Sequence, residues 1–191
     1  MIESDNCISD TESINNEHGV KPMLKLTDNH YTLLSHNCSG YNSVYHKPML
    51  DEKSIDFVLL QETFHFDSSK FIYDDNQKFK TFQSSGMNEN EKNKKWQGGL
   101  ITYVNNRIVS ESKVIAKNKR YLIVAVGRLV LINVYLPHQG YPEKDLYKKC
   151  LDGILSVIGE LDDSYAYIIA GDFNASGRNL PEFLEFRKSL S

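Results

Sequence analysis

The chain has 191 residues, enough for one domain with a sizeable core, and its 40% hydrophobic and 25% charged content is ordinary for a globular protein. A formal net charge of −3 and a pI near 6.1 exclude the global basic field of a non-specific nucleic-acid binder, so any phosphate-bearing partner has to be met locally or through a metal ion. Three cysteines, Cys7, Cys38 and Cys150, at no metal-type spacing argue against a disulfide framework; with no bilayer-length apolar run and no signal-like N-terminus, the expectation is an intracellular protein away from membranes.

Residues 1–29 are polar and aperiodic and read as a flexible leader, with the remaining residues, 30–191, forming one domain. Tyr31 to Asn37 reads as a strand running into the polar turn Asn37-Cys38-Ser39-Gly40, and Asn42 or Ser43 can cap a short helix through Asp51. Ile55 to Thr63 is an apolar run that delivers Glu62 at its end. A carboxylate at the tip of a buried strand needs a partner or a metal, although a simple surface Glu at a strand end is at least as common. From Phe64 to Trp96 the chain reads as loop-rich, with one short strand around Lys78–Phe82. Its Lys92-Asn93-Lys94-Lys95-Trp96 stretch is either a solvated loop or a phosphate and base contact. Gln97-Gly98-Gly99 permits a turn or bulge before a strand over Leu100–Val104, and without a following Gly-Lys-Ser/Thr it is not a P-loop.

Tyr121–Val126 and Leu129–Leu136, separated by Gly127-Arg128, form the clearest hairpin, and their nearly continuous apolar character predicts central strands covered on both faces. The second run ends in Tyr135-Leu136-Pro137-His138, a turn carrying a phenol and an imidazole. Pro142 and Glu143 open a helix whose apolar residues, Leu146, Tyr147, Cys150, Leu151, Ile154, Leu155, Ile158 and Leu161, keep helical spacing. Tyr165 to Ala170 then predicts a buried strand ending in Gly171-Asp172-Phe173-Asn174. In an extended chain Asp172 and Asn174 point to one side and Phe173 to the other, with Gly171 allowing close backbone approach. Alone, this tetrapeptide is more often an ordinary turn. A short helix over Pro181–Ser189 completes the pattern.

Four strand ends thus carry polar groups: Asn37, Glu62, Tyr135, and Asp172 with Asn174. Acids and amides gathered at strand tips suit a hard divalent cation and a phosphate, both of which demand oxygen ligands and directed donors. With Ser35-His36-Asn37-Cys38-Ser39-Gly40, Leu59-Leu60-Gln61-Glu62-Thr63, Gly98-Gly99-Leu100-Ile101-Thr102-Tyr103, Asn133-Val134-Tyr135-Leu136-Pro137 and Ile169 to Ala175 in this order, residues 31 to about 190 resemble the endonuclease/exonuclease/phosphatase superfamily. Within it they are most similar to the apurinic-type endonuclease domains of non-LTR retrotransposons.

The resemblance implies a DNase I-like, four-layer α/β sandwich and divalent-metal-dependent phosphodiester cleavage, with Mg²⁺ (or Mn²⁺) as cofactor and DNA as substrate. No protein partner is implied. It makes Glu62 the principal metal ligand and Asn37 a support of the metal site. Tyr135 would hydrogen-bond the scissile phosphate, Asp172 would orient or deprotonate the attacking water, and Asn174 would stabilise charge on the phosphoryl oxygens. His138 becomes a phosphate contact. Ser39 stands where some members carry an acid. Members also end in a further strand pair with a Ser-Asp-His-type motif, whereas the last histidine here is His138 and the sequence stops at Ser191. A domain lacking its C-terminal part, and with it a catalytically inactive fragment, is therefore a competing expectation. A same-fold phosphatase acting on inositol phosphates or sphingolipids is another.

Overall fold

The computed structural model describes residues 30–41, 50–52, 54–65, 78–88, 96–108, 111–138, 143, 145–175 and 180–190. Strands β1 (Leu33–Asn37), β2 (Phe57–Gln61), β3 (Phe79–Asn88) and β4 (Trp96–Asn105) form one sheet in the order β1-β2-β4-β3. Strands β5 (Ser112–Lys117), β6 (Tyr121–Val126), β7 (Leu129–Tyr135) and β8 (Ala166–Asp172) form a second in sequence order.

The two-residue periodicity of a strand sorts the side chains into layers. Phe57 and Leu59 of β2, Leu100 and Val104 of β4, and Leu122, Val124, Leu129 and Leu131 of β6 and β7 fill the space between the sheets. Their alternates face outward. Val58, Leu60, Ile101 and Tyr103 pack with Leu50 and Ile55 on one side. On the other, Ile123, Val130, Ile132 and Val134 pack against α1 (Leu146–Gly159) and α2 (Pro181–Ser189). Helix α1 presents Cys150, Leu151 and Ile154 to that face, so the thiol is a core group. The result is an α/β sandwich with two sheets face to face.

The topology brings the polar tips together. β1 and β2 run parallel with Asn37 opposite Gln61, and β7 and β8 run parallel with Tyr135 opposite Asp172. Parallel neighbours finish at the same sheet edge, where α/β folds place their ligands. Asn37, Gln61, Tyr135 and Asp172 also fall on the inward-facing register of their strands, in step with Leu33, Phe57, Leu131 and Ile168.

Several elements differ from expectation. The Phe64–Trp96 region is not mainly loop among its described residues: β3 has ten residues and pairs with β4 along its length, from Phe79 opposite Asn105 to Asn88 opposite Trp96. Gly98 and Gly99 lie inside β4, both with left-handed φ (71° and 85°), rather than ahead of it. Strand β5 has no counterpart in the sequence reading; its Lys113-Val114-Ile115-Ala116-Lys117 run is bulged at Val114/Ala116 and mostly exposed, so it lacks the apolar alternation that marks a covered strand. Helix α1 starts at Leu146, with Glu143 in a bend before it. β8 is half-buried at one edge of the described sheet instead of fully buried. The 1–29 leader, the Asn42/Ser43 cap, the Lys92–Lys95 stretch and Pro142 lie outside the described residues.

Candidate functional site

Glu62 follows Gln61, whose side chain points between the sheets, so a continuing strand would turn Glu62 outward with Leu60. It does not continue. Glu62 has φ 51°, a left-handed conformation uncommon for a residue with a Cβ, and this redirects the carboxylate toward Asn37. The turn is held from both sides: the Gly40 N–H donates to the Glu62 carbonyl (2.7 Å), and Thr63 and Phe64 N–H groups donate to the Gly99 and Gly98 carbonyls (3.2 and 3.0 Å). A Cβ on Gly99 would sit 2.6 Å from Thr63 Oγ1, so only glycine lets β4 pass this close.

At the centre, Asn37 Nδ2 donates to Glu62 Oε1 (3.2 Å) and to Asp172 Oδ2 (2.9 Å). Asn37 Oδ1 in turn accepts from the Ser39 N–H (3.1 Å), which fixes the amide's orientation. One amide therefore joins a carboxylate of the first sheet to a carboxylate of the second. Asp172 Oδ1 accepts from the Asn174 N–H (2.9 Å), so each of its oxygens has a donor. The close approach expected at Gly171 is present: a Cβ there would lie 2.1 Å from the Val134 carbonyl oxygen.

Asn174 does not extend the strand. Its φ of 45° takes it out of the expected i/i+2 alignment with Asp172, and its side chain instead donates to the Leu136 carbonyl (2.7 Å), tying the β8 tip to the end of β7. Phe173 packs away from the site against Phe183, with ring centroids 5.3 Å apart, and the Tyr147 hydroxyl of α1 donates to the Phe173 carbonyl (3.0 Å).

Tyr135 is 6% exposed at the inner end of β7. Burial first, then a hydrogen bond to Glu62 and its charge, push the phenol far above its ordinary pKa of 10.0, so at neutral pH it is a proton donor. The guanidinium of Arg120, itself 4% exposed, lies 5.5 Å from the Tyr135 ring centroid and opposes that rise. Burial and the Glu62 carboxylate push the Cys38 thiol up to about 12, so at neutral pH it is a protonated thiol. His138 is exposed, three residues past β7.

The support beneath these groups is a further pair of polar residues that the strand-tip pattern does not single out. Gln61 Nε2 donates to Asn133 Oδ1 (2.8 Å), and Asn133 Nδ2 donates to the Leu60 and Ile101 carbonyls (3.1 and 3.0 Å), so an amide pair bridges the two sheets in the core. The available signal was Asn133 itself, the one strongly polar residue in the Leu129–Leu136 run. Arg120 likewise stood directly before the hairpin.

Among the described residues no group of three or more His, Cys, Asp or Glu is placed to hold a metal. Mg²⁺ does not need one, because it takes one or two carboxylates and completes its octahedron with water and phosphate oxygens. Glu62 offers one such carboxylate, oriented by the Asn37 amide. Among the described residues no helix is long and apolar enough to cross a membrane.

The architecture is shared with solved DNA-processing proteins. The 3′ phosphatase NExo from Neisseria bound to product DNA hairpin superposes with a TM-score of 0.57 at 15% identity, over 76% of this chain and 58% of that one. AP endonuclease LMAP from Leishmania major gives 0.62 at 14%, over 84% and 66%, and an AP endonuclease from Archaeoglobus fulgidus gives 0.57 at 17%, over 84% and 68%. The chain has the DNase I-like fold. It spans 58–68% of the length of these three proteins, and at such identities the DNase I-like likeness is one of fold. No family model and no curated protein matches the sequence.

Proposed function

We propose that the strand tips form a divalent-metal-dependent phosphodiesterase site acting on DNA, of the kind carried by retrotransposon endonuclease domains. The observation that carries this reading is the Asn37 amide, which holds Glu62 and Asp172 together across the two sheets at the end where Tyr135 presents its phenol. The fold neighbours support DNA as substrate, since they are AP endonucleases and a 3′ phosphatase bound to a DNA product. The Gly98-to-Tyr103 word supports the retrotransposon type.

In this reading Glu62 holds Mg²⁺ or Mn²⁺, with Asn37 fixing its carboxylate. When bound, the ion supplies positive charge against the phosphate oxygens. Tyr135, kept protonated, donates to a non-bridging oxygen, and Asp172, oriented by Asn37 and the Asn174 N–H, aligns the attacking water and receives its proton. The free hydrogen of the Asn174 amide stabilises charge on the phosphoryl group, and His138 is a peripheral phosphate contact.

The test is cleavage of supercoiled plasmid, of an oligonucleotide duplex with one abasic site, and of inositol phosphates, each with Mg²⁺, Mn²⁺ or EDTA. Metal-dependent DNA nicking that Glu62→Ala abolishes is the expected result. Turnover of inositol phosphates alone would move the assignment to a phosphatase. No turnover of any substrate would identify an inactive remnant.

A further inference from the structure

Although the chain is mildly acidic, one segment of it is locally basic. Between Glu111 and Tyr135 the residues Lys113, Lys117, Lys119, Arg120 and Arg128 face a single acid, Glu111, although the net charge is −3. Three of them, Lys113, Lys117 and Lys119, are exposed on edge strand β5 and the turn after it, and among the described residues none of the three has a carboxylate partner. On α1, by contrast, Lys148 is paired with Asp152 (2.9 Å) and Lys149 with Glu143 (2.8 Å).

The turn is also built rather than loose. Asn118 Oδ1 accepts from the Arg120 and Tyr121 N–H groups (2.7 and 2.9 Å), the Asn118 N–H donates to the Tyr121 carbonyl (2.9 Å), and Ser84 on β3 donates to the Asn118 carbonyl (2.5 Å). Lys117 Nζ reaches the Gln83 carbonyl (3.4 Å) across the same gap. The turn abuts the site, because the Arg120 carbonyl accepts from the Tyr135 N–H (2.8 Å) and its guanidinium lies over the Tyr135 ring. A rigid turn that displays lysines without carboxylate partners beside a phosphate-handling phenol has the charge and placement to meet phosphates flanking the reacting one.

We infer that Lys117 and Lys119, with Lys113 behind them, bind the sugar–phosphate backbone of DNA and dock it on the β5–β6 side of the site. The inference rests on the phosphodiesterase reading for the identity of the polyanion. Phosphate contacts of this sort set register and grip, not sequence preference.

The test is equilibrium binding of a fluorescein-labelled oligonucleotide duplex in EDTA, followed by anisotropy over a range of KCl concentrations. Wild type is compared with Lys117→Ala/Lys119→Ala and with Lys148→Ala/Lys149→Ala, each checked for folding by circular dichroism. The expected result is that the turn variant lowers the slope of log K against log salt by roughly two and weakens low-salt binding about tenfold or more, while the helix variant matches wild type. Lys119→Gln alone serves if the double variant fails to fold, with a slope change of about one. An unchanged slope in a folded turn variant, an equal loss in the helix variant, or no binding by wild type overturns the inference. Cleavage is scored separately: normal metal-dependent cleavage with an unchanged slope sinks the docking surface alone, whereas a lysine-dependent slope without cleavage sinks the phosphodiesterase reading alone.

Discussion

The single Nδ2 of Asn37 is shared between Glu62 and Asp172, so a side chain that cannot donate leaves two carboxylates facing each other. Asn37→Leu is expected to weaken Mn²⁺ binding by about 10–100-fold, the usual loss when a group that orients a ligand is removed, as read by calorimetric titration. Unchanged affinity would mean that Glu62 needs no orienting partner. Tyr135→Phe isolates a different contribution, since the ring and its contact with Arg120 remain while the donor goes. The expectation is a fall in kcat of roughly 10²–10³ with metal affinity intact, and a KM-only effect would reassign the phenol to substrate binding. His65 supplies a pH signature. It is buried, Thr63 Oγ1 lies 2.5 Å from its Nδ1, and burial lowers its pKa below the ordinary 6.5. Between that lowered value and 6.5 the unfolded chain binds more protons than the folded one, so His65 contributes stability that is complete above pH 6.5 and lost as pH falls through the window. Urea denaturation at about pH 7.5 and about pH 5.5 should show His65→Gln losing less stability on acidification than wild type. Equal losses would remove His65 as the cause.

At the level of elements, the four strands whose polar tips meet are held in register by groups packed beneath those tips. Gln61 and Asn133 lie in a core whose large apolar side chains each contribute about 1.5–3 kcal/mol on burial, so two amides there are tolerable only because they hydrogen-bond each other and the surrounding backbone carbonyls. Asn133→Leu and Gln61→Leu should each cost about 1–3 kcal/mol by stranding a buried polar group. The double Leu variant should cost less than the sum, with a coupling of roughly 1 kcal/mol or more in a urea-denaturation cycle. Strict additivity would show that the two amides act independently. Gly171 fixes the β7–β8 approach in another way. Its φ is 138° and a Cβ would stand 2.1 Å from the Val134 carbonyl oxygen, so Gly171→Ala should destabilise the chain by on the order of 2–4 kcal/mol. An alanine variant as stable as wild type would mean that β8 can shift along β7.

Across the whole molecule, what was legible in the sequence was what burial imposes. The β6–β7 hairpin is apolar on both faces and so announces two covered strands, and the Pro181–Ser189 helix carries its own start signal in Pro181. Strand β5 was illegible because its Val114 and Ile115 are 37% exposed and its lysines face solvent, leaving no period to read. Glu62, Asp172 and Tyr135 could be picked out as polar groups at strand tips. The left-handed turns at Glu62 and Asn174 could not, because those conformations are imposed by tertiary hydrogen bonds to Gly40 and Leu136 rather than by local sequence. The same cross-sheet arrangement gives the last prediction. Asn37, itself tied to Asp172 of the second sheet, orients the Glu62 carboxylate only in the folded chain, so an ion held at Glu62 binds the folded chain far better than the unfolded one, where these residues are far apart. Linkage then stabilises the fold by about 2.7 kcal/mol at a metal concentration one hundred times Kd, which for a chain of this size raises Tm by roughly 5–10 °C. Mn²⁺ should produce that shift in differential scanning calorimetry, EDTA should reverse it, and Glu62→Gln should lose most of it. If Glu62→Gln shifts as far as wild type, the ion is held elsewhere on the chain and the strand tips are not its site.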